Sequence, residues 1–297
     1  MNRSDTFSTF HPAVNFLYFA LVLVFSMCLM HPVCLRISLF SALLYSAYLN
    51  GAKAMRRNLV WLLPVMLFAA VLNPVFNHEG ATILGYFLNG NPLTLESILY
   101  GLAAAVMLAA VITWFGCYSA VMCSDKFLYL FGSAIPALSL VLSMTLRFVP
   151  RFRAQLSSVQ QAQRMIGRDG RGNIFQKVRC GITNFSILLT WALENAVETA
   201  DSMKSRGYGL PGRTAFSIYR FDSRDRLALL WLLFCGIYLT SGWIVGGFAC
   251  RYYPRFHLAA LTPFSFSFLL VYAALCLTPV ILDRKEDLTW THLQSNI

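Results

Sequence analysis

Apolar residues run along this 297-residue chain in long unbroken stretches, not in the short alternations of strands. A membrane-crossing helix needs about 20 mostly apolar residues. Six segments qualify: about 13–30, 33–50, 59–76, 97–122, 227–247 and 259–282. Pro32 marks a tight turn between the first two, and Gly51 with Lys53, Arg56 and Arg57 separates the second from the third. The stretch from Asn77 to Leu95, with its Gly, Asn and Pro residues, reads as a longer loop.

Between the fourth and fifth runs the pattern changes. Phe127 to Leu146 is apolar enough to span, but Gly132 and Pro136 interrupt it, and it reads as a broken helix at or partly in the interface. Then Phe148, Phe152, Leu156, Val159, Ala162 and Ile166 fall on one helical stripe, flanked by Arg147/Arg151 and Arg164/Arg168 at i,i+4. Pro150 is expected in the first turn of this helix, where its missing N–H costs nothing, and Gly167 ends it. A second helix is expected from about Ile174 to Ser205, roughly 45–50 Å long at 1.5 Å per residue. Its apolar stripe comprises Phe175, Val178, Ile182, Phe185, Leu189, Ala192, Ala196, Ala200 and Met203, and Gly207 follows its end.

The predicted fold is thus an all-α integral membrane protein with about six transmembrane helices and a cytoplasmic pair of long helices. Residues 1–122 hold the first four spans, 123–226 the cytoplasmic or interfacial helices, and 227–297 the last two spans and a tail. Composition agrees, since only 12% of residues are charged against about 25% in soluble domains. The run from Ala13 to Met30 is long enough to span and no A-x-A site follows it, so it reads as a span and not a cleaved signal.

Charge sets the orientation. The net charge is +11, and 15 of the 24 Lys and Arg residues lie in 123–226 against seven acids. Basic residues near span ends favour the cytoplasm. That rule places both termini, the Lys53–Arg57 loop, the middle stretch and the Arg284/Lys285 tail inside. Only Arg251 and Arg255 fall in an outside loop. Had 127–146 crossed alone, Arg147 to Arg226 would lie outside, against the rule; a second dip near Ile182–Leu193, forming a hairpin, would also restore the topology. No nucleic-acid-binding motif accompanies the charge; topology and acidic protein partners account for it better.

Candidate chemistry is sparse. The eight cysteines form no CxxC pair, and most sit in apolar runs, where Cys acts as a small hydrophobe. Neither disulfides nor a metal site is expected from them, and the five histidines show no ligand spacing. Glu194, Glu198 and Asp201 share a helical face at i, i+4, i+7. Such a cluster can serve acid–base chemistry, as in a stand-alone membrane enzyme or a secondary transporter. A polar face paired with Arg147, Arg151 or Arg164 is the preferred reading. No GxxxxGK[ST] loop, GxSxG or HExxH is present, so the chain is read as non-enzymatic and without a cofactor of its own. Gly242 and Gly246 form a GxxxG, and Gly101, Ala103, Ala104 and Ala110 give a second small-residue face. Either serves packing within the chain or contact with a partner.

The two long helices end alike, in Gln163-Arg164-Met165-Ile166-Gly167-Arg168 and in Lys204-Ser205-Arg206-Gly207-Tyr208-Gly209. Together with Leu146-Arg147-Phe148-Val149-Pro150, these segments resemble the transmembrane coupling (T) subunits of energy-coupling-factor transporters. The resemblance implies a coupling subunit of an ATP-binding-cassette importer for a vitamin or a transition-metal ion. It implies two ATPase subunits, which bind the ATP, a small substrate-binding membrane (S) subunit, the lipid bilayer, and no nucleic acid. It implies residence in a bacterial or archaeal cytoplasmic membrane. By that resemblance Ser205, Arg206 and Gly207 dock one ATPase, and Ala162, Gln163, Arg164, Gly167 and Arg168 dock the other. Arg147, Phe148, Pro150, Glu194 and Glu198 would pack the coupling helices. The family's first motif carries Arg where this chain has Ile166, so Arg164 or Arg168 is expected to substitute.

Overall fold

The computed structural model describes residues 6–86, 91–132, 136–167, 174–208, 210, 219–258 and 262–295. Helix dominates: α1 (Pro12–Cys28), α2 (Pro32–Phe76), α3 (Leu95–Val121), α4 (Ser124–Gly132), α5 (Pro136–Met165), α6 (Ile174–Ser205), α7 (Ser223–Ile244) and α8 (Pro263–Ser295). Two short antiparallel ribbons shape the loops. β1 (Ile83–Tyr86) pairs with β2 (Pro92–Thr94), and β3 (Cys250–Arg251) with β4 (His257–Leu258).

The chain is an all-α multi-pass membrane protein. Among the described residues, five helices are long and apolar enough to cross a bilayer: Pro32–Gly51, Met55–Phe76, Leu95–Val121, Ser223–Ile244 and Pro263–Glu286. The sixth expected span, Pro12–Cys28, is a shorter apolar helix of 17 residues, at the low end of the roughly 17–25 that a crossing needs. α1 and α2 open alike, each with a His-Pro step. The Nδ1 atoms of His11 and His31 accept from the Ala13 and Val33 N–H groups at 3.3 Å, and Pro12 and Pro32 take the first turn. Burial, and then the nearby Arg36 guanidinium, push His31 below the usual imidazole value, which favours the neutral ring that can accept this bond. α2 breaks at Gly51, whose φ of 79° and ψ of 161° leave the helical region.

The chain folds as two compact units, Met1–Phe127 with Tyr219–Ile297, and Leu128–Ile218. The first has a core of Tyr18, Tyr45, Trp114, Tyr272, Phe19 and Phe268, all almost fully buried. Ring pairs meet edge to face, such as Tyr18 on Trp114 at 6.1 Å and 72°. A polar cluster joins four helices inside this core. Ser26 of α1 shares hydrogen bonds with Ser38 of α2 at 2.7 Å and Tyr272 of α8 at 3.1 Å. The Trp114 indole N–H of α3 donates to Ser38 Oγ at 3.1 Å. Acids secure the N-terminal segment: the Phe7 and His11 amides donate to Asp283 Oδ1 and Asp225 Oδ1, each at 3.0 Å.

The small-residue faces pack within the chain. A Cβ on Gly101 would lie 2.7 Å from the Ala70 carbonyl oxygen of α2, and one on Gly242 would lie 2.6 Å from the Phe268 ring of α8. Gly246 instead ends α7 with a φ of 81°.

α4 is described to Gly132 and α5 from Pro136, and the break expected between them falls on residues 133–135, outside the described residues. One expectation is corrected here. Pro150 does not open a helix; it lies inside α5, 14 residues beyond its first residue, Pro136. The helix passes through it because Pro150 sits on an exposed face, where the ring meets no packed neighbour and the orphaned Leu146 carbonyl can find a partner outside the helix.

Candidate coupling-helix tips

α5 and α6 pack on one another through a narrow seam. Phe152 meets Trp191 edge to face at 5.5 Å and 84°, and Val159 and Asn184 are buried in the same unit. Phe148 adjoins Phe152 at 6.3 Å. The aromatic contact lies 15 residues before Gly167 on α5 and 16 before Gly207 on α6. At 1.5 Å per residue both helices continue about 22–24 Å past it to their ends.

Those ends have the same construction. Gly167 and Gly207 take φ of 75° and 76°, a left-handed conformation that a Cβ disfavours. At α6 the Gly207 N–H donates to the Lys204 carbonyl at 3.0 Å and the Tyr208 N–H to that of Met203 at 3.1 Å. This is the paired closure of a Schellman turn. At α5 the Gly167 N–H makes the matching bond to the Arg164 carbonyl at 3.1 Å. The two tips can therefore be aligned on their glycines.

That alignment assigns the flanking residues. Three positions before the glycine stand Arg164 and Lys204, each the basic residue of its helix's last turn and each exposed. One position before stand Ile166 and Arg206, both exposed. Arg164 is thus the counterpart of Lys204, not of Arg206, and Ile166 fills the Arg206 position with an apolar side chain. Met165 beside it is 89% exposed. Ala162 is exposed and Gln163 half-buried in the last turn of α5, while Ser205 Oγ–H donates to the Ser202 carbonyl at 2.9 Å. Arg168 and Gly209 lie outside the described residues.

The Glu194, Glu198 and Asp201 face departs from its preferred reading. All three are exposed, and among the described residues none forms an ion pair with Arg147, Arg151 or Arg164. Glu194 and Glu198 follow Trp191 at i+3 and i+7, on the same side of α6, and are exposed where Asn184 and Trp191 are not. An exposed pair would in any case contribute little. Among the described residues no group of three His, Cys, Asp or Glu side chains is placed to hold a metal ion.

The apolar stripe of α6 is also outside the seam. Phe175, Val178, Ile182, Phe185 and Leu189 are about half to four-fifths exposed. Two helices can bury only one line of contact between them, so the stripe remains available to lipid or to another apolar surface. The equivalence of Arg164 and Lys204 was not drawn from the sequence, although counting back from each glycine reveals it.

Over 202 residues the chain is 29% identical to the energy-coupling factor transporter transmembrane protein EcfT of Streptococcus thermophilus, a match to 65% of this chain and 74% of that protein. It is 34% identical over 110 residues to the protein named EcfT 1 of Listeria monocytogenes, covering 36% of this chain and 40% of the relative. A third relative, EcfT of Lacticaseibacillus paracasei, is 38% identical over 96 residues, covering 32% of this chain and 36% of its own length. The chain therefore spans about three-quarters of the first relative and well under half of the other two. No family model matches it.

Proposed function

We propose that this chain, which is similar to energy-coupling factor transporter transmembrane proteins, is the membrane component that couples ATP hydrolysis on partner chains to uptake through a small substrate-binding membrane subunit. The observation that carries the reading is the pair of left-handed glycine tips, with Arg164 and Lys204 at the same offset and Arg206 added on α6. A guanidinium at an exposed helix end offers a forked, directional contact to carboxylates, which suits an acidic groove on a soluble ATPase. The two tips would engage two ATPase subunits, and α5 and α6 would carry their motion. The exposed stripe from Phe175 to Leu189 supports an apolar partner, as an S subunit would be.

The distribution of Lys and Arg supports a cytoplasmic-membrane location with both termini inside. A vitamin or a transition-metal ion is the cargo class in this reading, selected by the S subunit and not by this chain.

The test is a mild-detergent pull-down of the tagged chain, wild type against Arg206→Glu. Wild type is expected to bring down ATP-binding-cassette subunits and a small membrane protein, and the charge reversal to lose the ATPases. A wild-type chain that purifies folded and alone overturns the reading.

A further inference from the structure

An apolar crevice opens beside Arg36 in the first unit. Arg36 lies one turn into α2, and its Nε–H donates to the Pro32 carbonyl at 3.2 Å, which draws the guanidinium back toward the start of the helix. The crevice has a volume of about 330 Å³. Its walls are Leu35 of α2, Leu99, Leu102 and Val106 of α3, and Tyr252 and Phe256 of the loop between α7 and α8. Leu35, Ala103 and Tyr252 form a small buried cluster beneath it. Arg36 is the one charged residue among those that line it. The Tyr252 hydroxyl is already engaged, donating to the Met30 carbonyl at 2.8 Å. Arg251 and Arg255 directly precede the two aromatic wall residues, and both are exposed.

An apolar slot with a guanidinium at its edge complements an amphiphile that has an acyl chain and a negative head. A protein helix, about 10 Å across with its side chains, does not fit a slot of this size; an acyl segment does. Arg is the side chain best shaped to hold phosphate through paired N–H donors. We propose that this crevice seats an anionic phospholipid. An acyl segment lies against Leu99, Leu102 and Val106, and the phosphate rests on Arg36. The site gives Arg36 a role that topology alone does not, and it is independent of the coupling role proposed above.

The experiment is native mass spectrometry of the full chain after exchange into micelles that hold equal amounts of phosphatidylglycerol and phosphatidylcholine. Wild type is expected to retain phosphatidylglycerol preferentially. Arg36→Gln should lower that retention roughly fivefold, the scale of one basic contact, and leave phosphatidylcholine unchanged. Leu102→Trp, which fills the crevice from its exposed side, should lower retention of both. Inorganic phosphate added at the same concentration should not displace the lipid; if it does, the site holds a free anion and the lipid proposal fails. Equal phosphatidylglycerol retention by wild type and Arg36→Gln also overturns it. Because Arg36 is exposed, that comparison decides the matter even if Leu102→Trp does not fold.

Discussion

Ile166 occupies on α5 the position that Arg206 occupies on α6, each directly before a glycine held near φ of 75°. The two ends thus share a backbone and differ in chemistry at the residue that leads. Arg206→Ala is expected to weaken ATPase association by roughly thirtyfold, the equivalent of about 2 kcal/mol for a buried Arg contact. Ile166→Ala should change it little, and Ile166→Arg should strengthen it. A titration of purified ATPase onto the chain in nanodiscs separates these outcomes, and a neutral Arg206→Ala would refute the asymmetry.

The tips should also depend on glycine itself. An Ala at Gly167 or Gly207 must adopt a left-handed conformation at a cost of about 1–2 kcal/mol. At Gly207 the new methyl would also come within 3.2 Å of Leu210 Cδ1, whereas at Gly167 it would meet nothing among the described residues. Hydrogen exchange should therefore show the Tyr208 amide losing protection in Gly207→Ala, to a greater degree than the Gly167 amide position does in Gly167→Ala.

Gly242 lies against the Phe268 ring. Gly242→Val is expected to destabilise the first unit by about 1–3 kcal/mol through overpacking. The double variant Gly242→Val/Phe268→Ala should recover part of that loss. Denaturation in detergent gives the comparison, and an additive double variant would show that the two do not share a contact.

Glu96 closes the loop before α3. Its carboxylate accepts from the Thr82 hydroxyl at 2.6 Å and from the Thr82 amide at 3.2 Å. Glu96→Ala leaves both donors unpaired, and the segment from Asn77 to Thr94 should open to protease more readily. Cleavage at the wild-type rate would show that β1 and β2 alone hold the loop.

Much of this fold was legible in the sequence because lipid imposes a simple rule: long apolar runs become helices. The Gly51 break followed from a residue that punctuates any helix. Pro150 misled because its tolerance inside α5 depends on exposure, which a sequence does not display. The seam between α5 and α6 was hidden for another reason. Hydrophobic periodicity marks the stripe from Phe175 to Leu189, yet Asn184 and Trp191 face inward. Apolarity alone cannot tell a face that meets its own neighbour from one that meets lipid or a partner. Among the described residues the acidic face likewise forms no ion pair with Arg147, Arg151 or Arg164, since complementary charge on two helices does not by itself fix side chains in contact.

The meeting of Ser26, Ser38, Trp114 and Tyr272 bears on how the membrane helices find their alignment. Apolar surfaces in lipid slide past one another with little change in energy, because the tails are as apolar as the helices. Four hydrogen-bonding groups from four helices do not slide. A shift of one helix by a single residue, about 1.5 Å along its axis, would part them where no water can take their place. The cluster therefore makes the alignment discrete: α1, α2, α3 and α8 lock into one register or stay unlocked.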